Sequence, residues 1–103
     1  MEHDMTAKSI LELAVCIVAD RPAAAAARQQ AMQAVSHYPG FISWRAVGSC
    51  ENPGMLADLV EWETLDDAKS AGERVRRDPD FAPYMAAISA VMLMQHFAVE
   101  QQI

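Results

Sequence analysis

Four stretches of the chain carry apolar side chains on both of their alternating sets of positions: Ile10 to Val18, Phe41 to Gly48, Leu56 to Trp62 and Val91 to Val99. A period of two predicts β-strands, and apolar groups in both rows predict a sheet that is covered on two faces. In the first stretch Leu11, Leu13, Val15 and Ile17 form one bulky row, whereas Glu12, Ala14 and Cys16 form a smaller and more polar one. Bulk points to the first row as the one packed on helices. The opposite rows would then line a cavity: Glu12, Ala14 and Cys16; Phe41, Ser43, Arg45 and Val47; Asp58, Val60 and Trp62; Met92, Met94 and His96.

Between the first two strands the period changes. Pro22 suits a first helical turn, where its missing N–H costs nothing, and Ala24, Ala27, Ala31, Ala34, Val35 and Tyr38 then recur at helical spacing. Arg28, Gln29, Gln30 and Gln33 are read as facing water, and Pro39-Gly40 ends the helix. Glu51-Asn52-Pro53-Gly54 has turn chemistry, which makes the second and third strands an antiparallel hairpin. Thr64-Leu65-Asp66-Asp67 resembles a capping box with Asp in place of Glu, and Leu65, Ala68, Gly72 and Val75 trace one face of the helix it opens. After the break at Asp78-Pro79, a short piece turns Phe81, Tyr84, Met85 and Ile88 inward, with Pro83 in its first turn.

The resulting order, β-α-β-β-α-β, predicts an α+β ferredoxin-like fold: a four-stranded antiparallel sheet with both helices on one face. Those helices cover one side only. Leaving the other in water would expose a larger apolar patch than soluble monomers carry, so a homodimer is expected, with a charge at Met94 expected to weaken it. At 103 residues and 52% hydrophobic the chain reads as a single domain over residues 1–103, with 1–9 a flexible N-terminus. A net charge of −6 argues against nucleic acid and anionic membranes as partners and leaves small molecules and proteins. Cys16 and Cys50, the two cysteines, have neither metal-ligand nor disulfide-framework spacing and read as free thiols in a cytoplasmic protein. No stretch has the length of a membrane span or the basic start of a signal peptide.

Candidate chemistry is sparse. His96 stands out because the side chain of histidine in general suits a base for a phenol or carbon acid, although a structural His is the commoner case. The guanidinium of Arg45 would stabilise a developing phenolate or enolate, or else pair with Asp58 across the hairpin. Glu12 and Asp58 offer carboxylates, Trp62 a flat wall, and Ser43 and Met94 further lining, while Trp44 is read as core. No phosphate loop, nucleophile and base pairing, or metal triad is visible.

Pro39-Gly40-Phe41-Ile42, Leu59-Val60-Glu61-Trp62-Glu63-Thr64 and Asp78-Pro79-Asp80-Phe81-Ala82-Pro83-Tyr84 resemble the antibiotic-biosynthesis monooxygenase family of the dimeric α/β-barrel superfamily. The resemblance implies two subunits closing their open sheet faces into a barrel, with a ligand pocket between sheet and helices or at the barrel seam. It also implies cofactor-independent oxygenation of a small aromatic or polyphenolic substrate; the strand rows then supply the residues, with His96 or a carboxylate removing a proton, Arg45 stabilising the anion as the second catalytic residue, and Glu12, Ser43, Asp58, Trp62 and Met94 binding the substrate. No metal and no cofactor are expected. The family's haem-degrading branch uses Asn, Trp and His at positions that fall near Val15, Ala71 and Met85 here, so haem degradation is disfavoured. A non-catalytic dimeric module binding a small ligand or a partner protein is the alternative.

Overall fold

A computed structural model describes residues 9–103; the flexible segment expected at the N-terminus falls, apart from Ser9, outside the described residues. The chain runs β1 (Ile10–Val18), α1 (Arg21–Val35), β2 (Phe41–Gly48), β3 (Met55–Trp62), α2 (Leu65–Arg74), a single 3₁₀ turn (Val75–Arg77), α3 (Ala82–Ala87) and β4 (Ile88–Ala98). The four strands form one antiparallel sheet in the order β2-β3-β1-β4, with the helices on one face. This is the ferredoxin-like arrangement read from the sequence.

Local chemistry sets the element ends. Asp20 accepts a hydrogen bond from the Ala23 amide at 3.1 Å and caps α1, with Pro22 in the first turn. Gly40, at φ +79, turns the chain into β2 with a backbone that other residues adopt only under strain. Thr64 Oγ1 accepts from the Asp67 amide at 3.0 Å, forming one half of the capping box. The last strand begins at Ile88, directly after α3, because Ile88 already pairs with Val18. No turn residue separates the two elements.

The rows of β1, β3 and β4 are reversed relative to expectation, whereas β2 beyond Phe41 keeps its expected side. Cys16 and Val18, on the same row as Glu12 and Ala14, are buried against Ala24 of α1, Leu56 and, at the end of α3, Ala87 and Ile88. Leu11, Leu13, Val15 and Ile17 therefore face away from the helices, level with Glu61, Leu59, Ala57 and Met55 of β3. The reason lies in the helical layer. Large groups there, notably the fully buried Tyr84 and the adjacent Phe81, project onto the sheet, so β1 presents small residues beneath them.

On β2 a register shift between Phe41 and Ser43 breaks the simple alternation. Phe41 stands on the Trp62 side, but beyond the bulge it is Trp44, opposite Val60, that faces the helices. Ser43, Arg45 and Val47 move to the open face, opposite Glu61, Leu59 and Ala57. One inserted residue thus removes Arg45 from the row to which strict alternation assigns it.

Candidate functional site

Small residues under large ones leave a space: a cavity of about 460 Å³ between the sheet and the α2–α3 layer. Its floor is Glu12, Ala14, Cys16, Trp44, Asp58, Val60, Trp62 and Met94, and its roof includes Ala71, Val75, Phe81, Tyr84 and Met85. The walls are strongly aromatic. Phe81 meets Tyr84 edge-on at 5.9 Å and tilts against Trp44 at 6.5 Å, while Trp62 is held edge-on by Phe41 at 5.8 Å. The size and the apolar lining with a few polar groups are those of a small-molecule pocket, which typically spans about 300–1,000 Å³.

One polar group is Asp58. Its Oδ1 accepts from Arg28 Nε at 2.8 Å and from Trp44 Nε1 at 2.9 Å, and its Oδ2 accepts from the Tyr84 hydroxyl at 2.6 Å. The Arg28 guanidinium is anchored further, because Nη2 donates to the carbonyls of Val47 at 3.1 Å and Ala57 at 2.6 Å. Burial first, then the bond to Asp58, push the Tyr84 phenol far above its ordinary value. Cys16 Sγ lies 3.9 Å from the same hydroxyl, and burial pushes its thiol up. Within this cluster Arg28 matches the charge of Asp58, and the Arg28 Nε, Trp44 Nε1 and Tyr84 hydroxyl donors are all engaged by that carboxylate.

Glu12 is different. Its Oε1 accepts from Trp62 Nε1 at 3.0 Å, and burial raises its carboxyl above the usual carboxylate range, the bond from Trp62 opposing and the charge of Asp58 adding to the shift. His96, directly opposite Glu12 across the β1–β4 ladder, brings Nε2 to 3.7 Å from Oε1. That is too long for a hydrogen bond, and Nε2 is buried without a partner. A raised carboxyl beside an imidazole nitrogen is an arrangement suited to accepting and returning a proton.

Glu12, Asp58, Trp62 and Met94 thus share the cavity wall, with His96 next to Glu12, whereas Ser43 and Arg45 lie on the other face of the sheet. Asp58 pairs with Arg28 of α1 and not with Arg45 across the hairpin. Two further readings change. Trp44 is cavity wall as well as core, and Arg28 is buried instead of facing water. The signal for Arg28 was present, since Ala24, Arg28, Ala31 and Val35 recur at helical spacing and are the buried stripe of α1. Among the described residues no group of three or more His, Cys, Asp or Glu side chains is placed to hold a metal ion, and no helix is long and apolar enough to cross a membrane.

No protein-family model and no curated protein matches the chain. Solved structures do. A Bordetella bronchiseptica protein assigned as an antibiotic biosynthesis monooxygenase superposes with a TM-score of 0.72 at 22% identity, over 93% of this chain and 98% of its own. A Chloroflexus aurantiacus protein with the same assignment gives 0.70 at 12% identity, over 92% and 96%. SnoaB, a cofactor-independent oxygenase from Streptomyces nogalater, gives 0.67 at 16% identity, over 94% and 96%. With nearly the whole of each chain superposed at such low identity, what is common is the architecture: this chain has the fold of the antibiotic biosynthesis monooxygenases.

Proposed function

We propose that the protein is a homodimeric, cofactor-independent monooxygenase of a small aromatic or polyphenolic substrate. The observation that carries this reading is the aromatic-walled cavity with Glu12 on its wall and the unpartnered Nε2 of His96 beside that carboxyl. SnoaB, with the same fold, is a cofactor-independent oxygenase. The cavity is not filled by the chain's own side chains, which favours a ligand over a purely structural module.

In the proposed reaction the substrate lies between Trp44, Trp62 and Phe81, and Glu12 removes a proton from its activated carbon, as in an anthrone, with His96 beside it to share that proton. The carbanion gives one electron to dioxygen, and the resulting radical and superoxide combine to a carbon-bound peroxide. The proton returns to the distal oxygen, and the hydroperoxide loses water to leave a carbonyl. One oxygen atom enters the product and the other leaves in water, and all four electrons that reduce dioxygen come from oxidation of the substrate CH2 to the carbonyl. Desolvation makes Glu12 a stronger base than an exposed carboxylate, which narrows its mismatch with so weak a carbon acid. Arg45 and Ser43, on the far side of the sheet, take no part within this subunit's cavity.

The dimer in this reading forms on the open face, through Leu11, Leu13, Val15 and Ile17 of β1, Leu59 of β3, and Leu93 and Phe97 of β4. Removing such side chains from water contributes about 1.5–3 kcal/mol each when burial is complete. The experiment for the reaction is oxygen uptake by metal-free protein with an anthrone. Turnover is expected, reduced about a hundredfold or more by Glu12→Gln. No uptake over a panel of anthrones and hydroquinones would leave the ligand-binding module as the better reading.

A further inference from the structure

The charges around the cavity are one-sided. Glu12 and Asp58 are both on its wall, while none of its lining residues is Lys, Arg or His. Two basic side chains stand behind that lining: Arg28, which gives Nε to Asp58 and Nη2 to the carbonyls of Val47 and Ala57, and His96, whose Nε2 lies 3.7 Å from Glu12 Oε1. Three neutral donors in the wall are also spent: the indole N–H groups of Trp44 and Trp62 on Asp58 and Glu12, and the Tyr84 hydroxyl on Asp58. Ser89 offers a hydroxyl at the rim, and Cys16 a weakly donating thiol. Free acceptor capacity, by contrast, remains on the Glu12 carboxylate, whose one hydrogen bond is to Oε1.

We infer that the cavity selects neutral aromatic ligands bearing hydroxyl donors and rejects the same ring systems when they carry a carboxylate. A carboxylate entering this space loses its hydration, meets the carboxylates of Glu12 and Asp58, the second already matched by Arg28, and finds no cation among the lining residues and no unspent indole donor in return. A neutral phenol loses little and donates to Glu12. The inference rests on the oxygenase reading only for the type of ring system, and it gives that reading a charge rule. Proton transfer from a neutral substrate to Glu12 moves the negative charge from protein to ligand without adding to it. A substrate already bearing a carboxylate would leave the cavity with one charge too many at every stage.

The test uses a matched pair of dihydroxyanthraquinones, one carrying a hydroxymethyl group and the other a carboxylate at the same ring position. As quinones they bind without being turned over by the proposed reaction. Both tryptophans of the chain, Trp44 and Trp62, line the cavity, so quenching of intrinsic fluorescence reports binding directly. The neutral ligand should bind at least about tenfold more tightly at neutral pH, a difference of about 1.4 kcal/mol. Glu12→Gln, which removes one of the two charges, should narrow the gap severalfold. Equal or tighter binding of the carboxylate overturns the charge rule and leaves oxygenation standing. Selective binding of the neutral ligand without oxygen uptake on anthrones supports the rule and overturns oxygenation. Failure of both ligands to quench overturns the rule together with the assignment of the cavity as a ligand site.

Discussion

Arg28 of α1 donates through Nε to Asp58 Oδ1 of β3 at 2.8 Å, and this pair of buried charges joins the helical layer to the sheet at the edge of the cavity. Its geometry is well supplied. Asp58 has three side-chain donors, and Arg28 reaches two backbone carbonyls besides. The pair costs desolvation to bury, so its effect on stability is best seen by breaking it.

Replacing Arg28 with Met keeps the bulk of the side chain but strands the Asp58 carboxylate. A loss of about 3–5 kcal/mol is expected in urea unfolding. Adding Asp58→Asn to that variant removes the stranded charge and should restore part of the loss. If the double variant is less stable than Arg28→Met alone, the cost came from packing and not from an unpaired charge.

The two thiols should differ sharply. Cys50 is exposed at the β2–β3 turn, whereas Cys16 is buried and its thiol is raised by that burial. Less thiolate and less access both slow the reaction. Titration of native protein with an aromatic disulfide should show one fast thiol, with the second reacting only as the protein unfolds. Comparable rates would contradict the buried position of β1's small row.

Both phenols are shifted the same way. Tyr38 donates to Asp78 Oδ2 at 2.6 Å, and burial together with that bond pushes it up to about 12; Tyr84, bonded to Asp58, is raised further. A folded-state value above the unfolded one, about 10, means that the neutral phenol is favoured by folding. That stabilisation is complete below the unfolded value and is lost as pH rises through the folded one. Asp78 is held below the ordinary carboxylate range chiefly by the same bond, so its contribution, present at neutral pH, is lost only as pH falls through its lowered folded value. Phenolate absorbance in native protein should therefore rise only well above pH ~10, and Tyr38→Phe should flatten the fall of stability with alkaline pH. A phenol titrating at its ordinary value would show that one of these bonds is not formed in solution.

Element order and most boundaries were legible because local signals agreed: Asp20 with Pro22, Pro39 with Gly40, and Thr64 with Asp67 each mark an end that tertiary packing also uses. Sidedness was less legible. The bulky row of β1 faces the open side because the helices bring their own bulk, in Phe81 and Tyr84, which no pattern within β1 can report. The bulge after Phe41 shifts every later residue of β2 by one face, so Trp44 and Arg45 exchange the places that alternation gives them. Alternation within β1, β3 and β4 places Glu12, Asp58, Trp62 and Met94 in one row, and they do share the cavity, but on the helix-covered face and not the open one; the register shift just beyond Met94 brings Val91, and not the expected Met92, into the lining. On α1 the charge of Arg28 suggests water whereas its spacing from Ala24, Ala31 and Val35 suggests burial, and the partner Asp58 that decides for burial lies on another element.

The open face gives a direct test of assembly. Leu13 is central on it, level with Leu59 on one side and Gln95 on the other. If the proposed dimer forms here, Leu13→Lys gives monomer in sedimentation at micromolar concentration, while the cavity, on the opposite face, still binds the neutral anthraquinone. Met94 lines the cavity, so a charge there should impair ligand binding more than association. A Leu13→Lys protein that sediments unchanged, or a wild type that is monomeric, would remove this face as the interface.

Trp62 separates Glu12 from other candidates for the base. Its indole N–H bonds Glu12 Oε1 at 3.0 Å and holds the carboxyl lower than burial alone would leave it. Trp62→Phe deletes that donor and retains an aromatic wall, so the Glu12 carboxyl should rise further. A base acts only when deprotonated. The acidic limb of the kcat/KM profile with an anthrone should consequently move to higher pH in the variant, and the unfolding midpoint, measured alongside, accounts for the loss of ring volume. Glu12→Gln should abolish that limb along with most of the rate. If Trp62→Phe lowers the rate but leaves the limb where it was, proton removal belongs to another group, and His96, 3.7 Å away, becomes the residue to replace next.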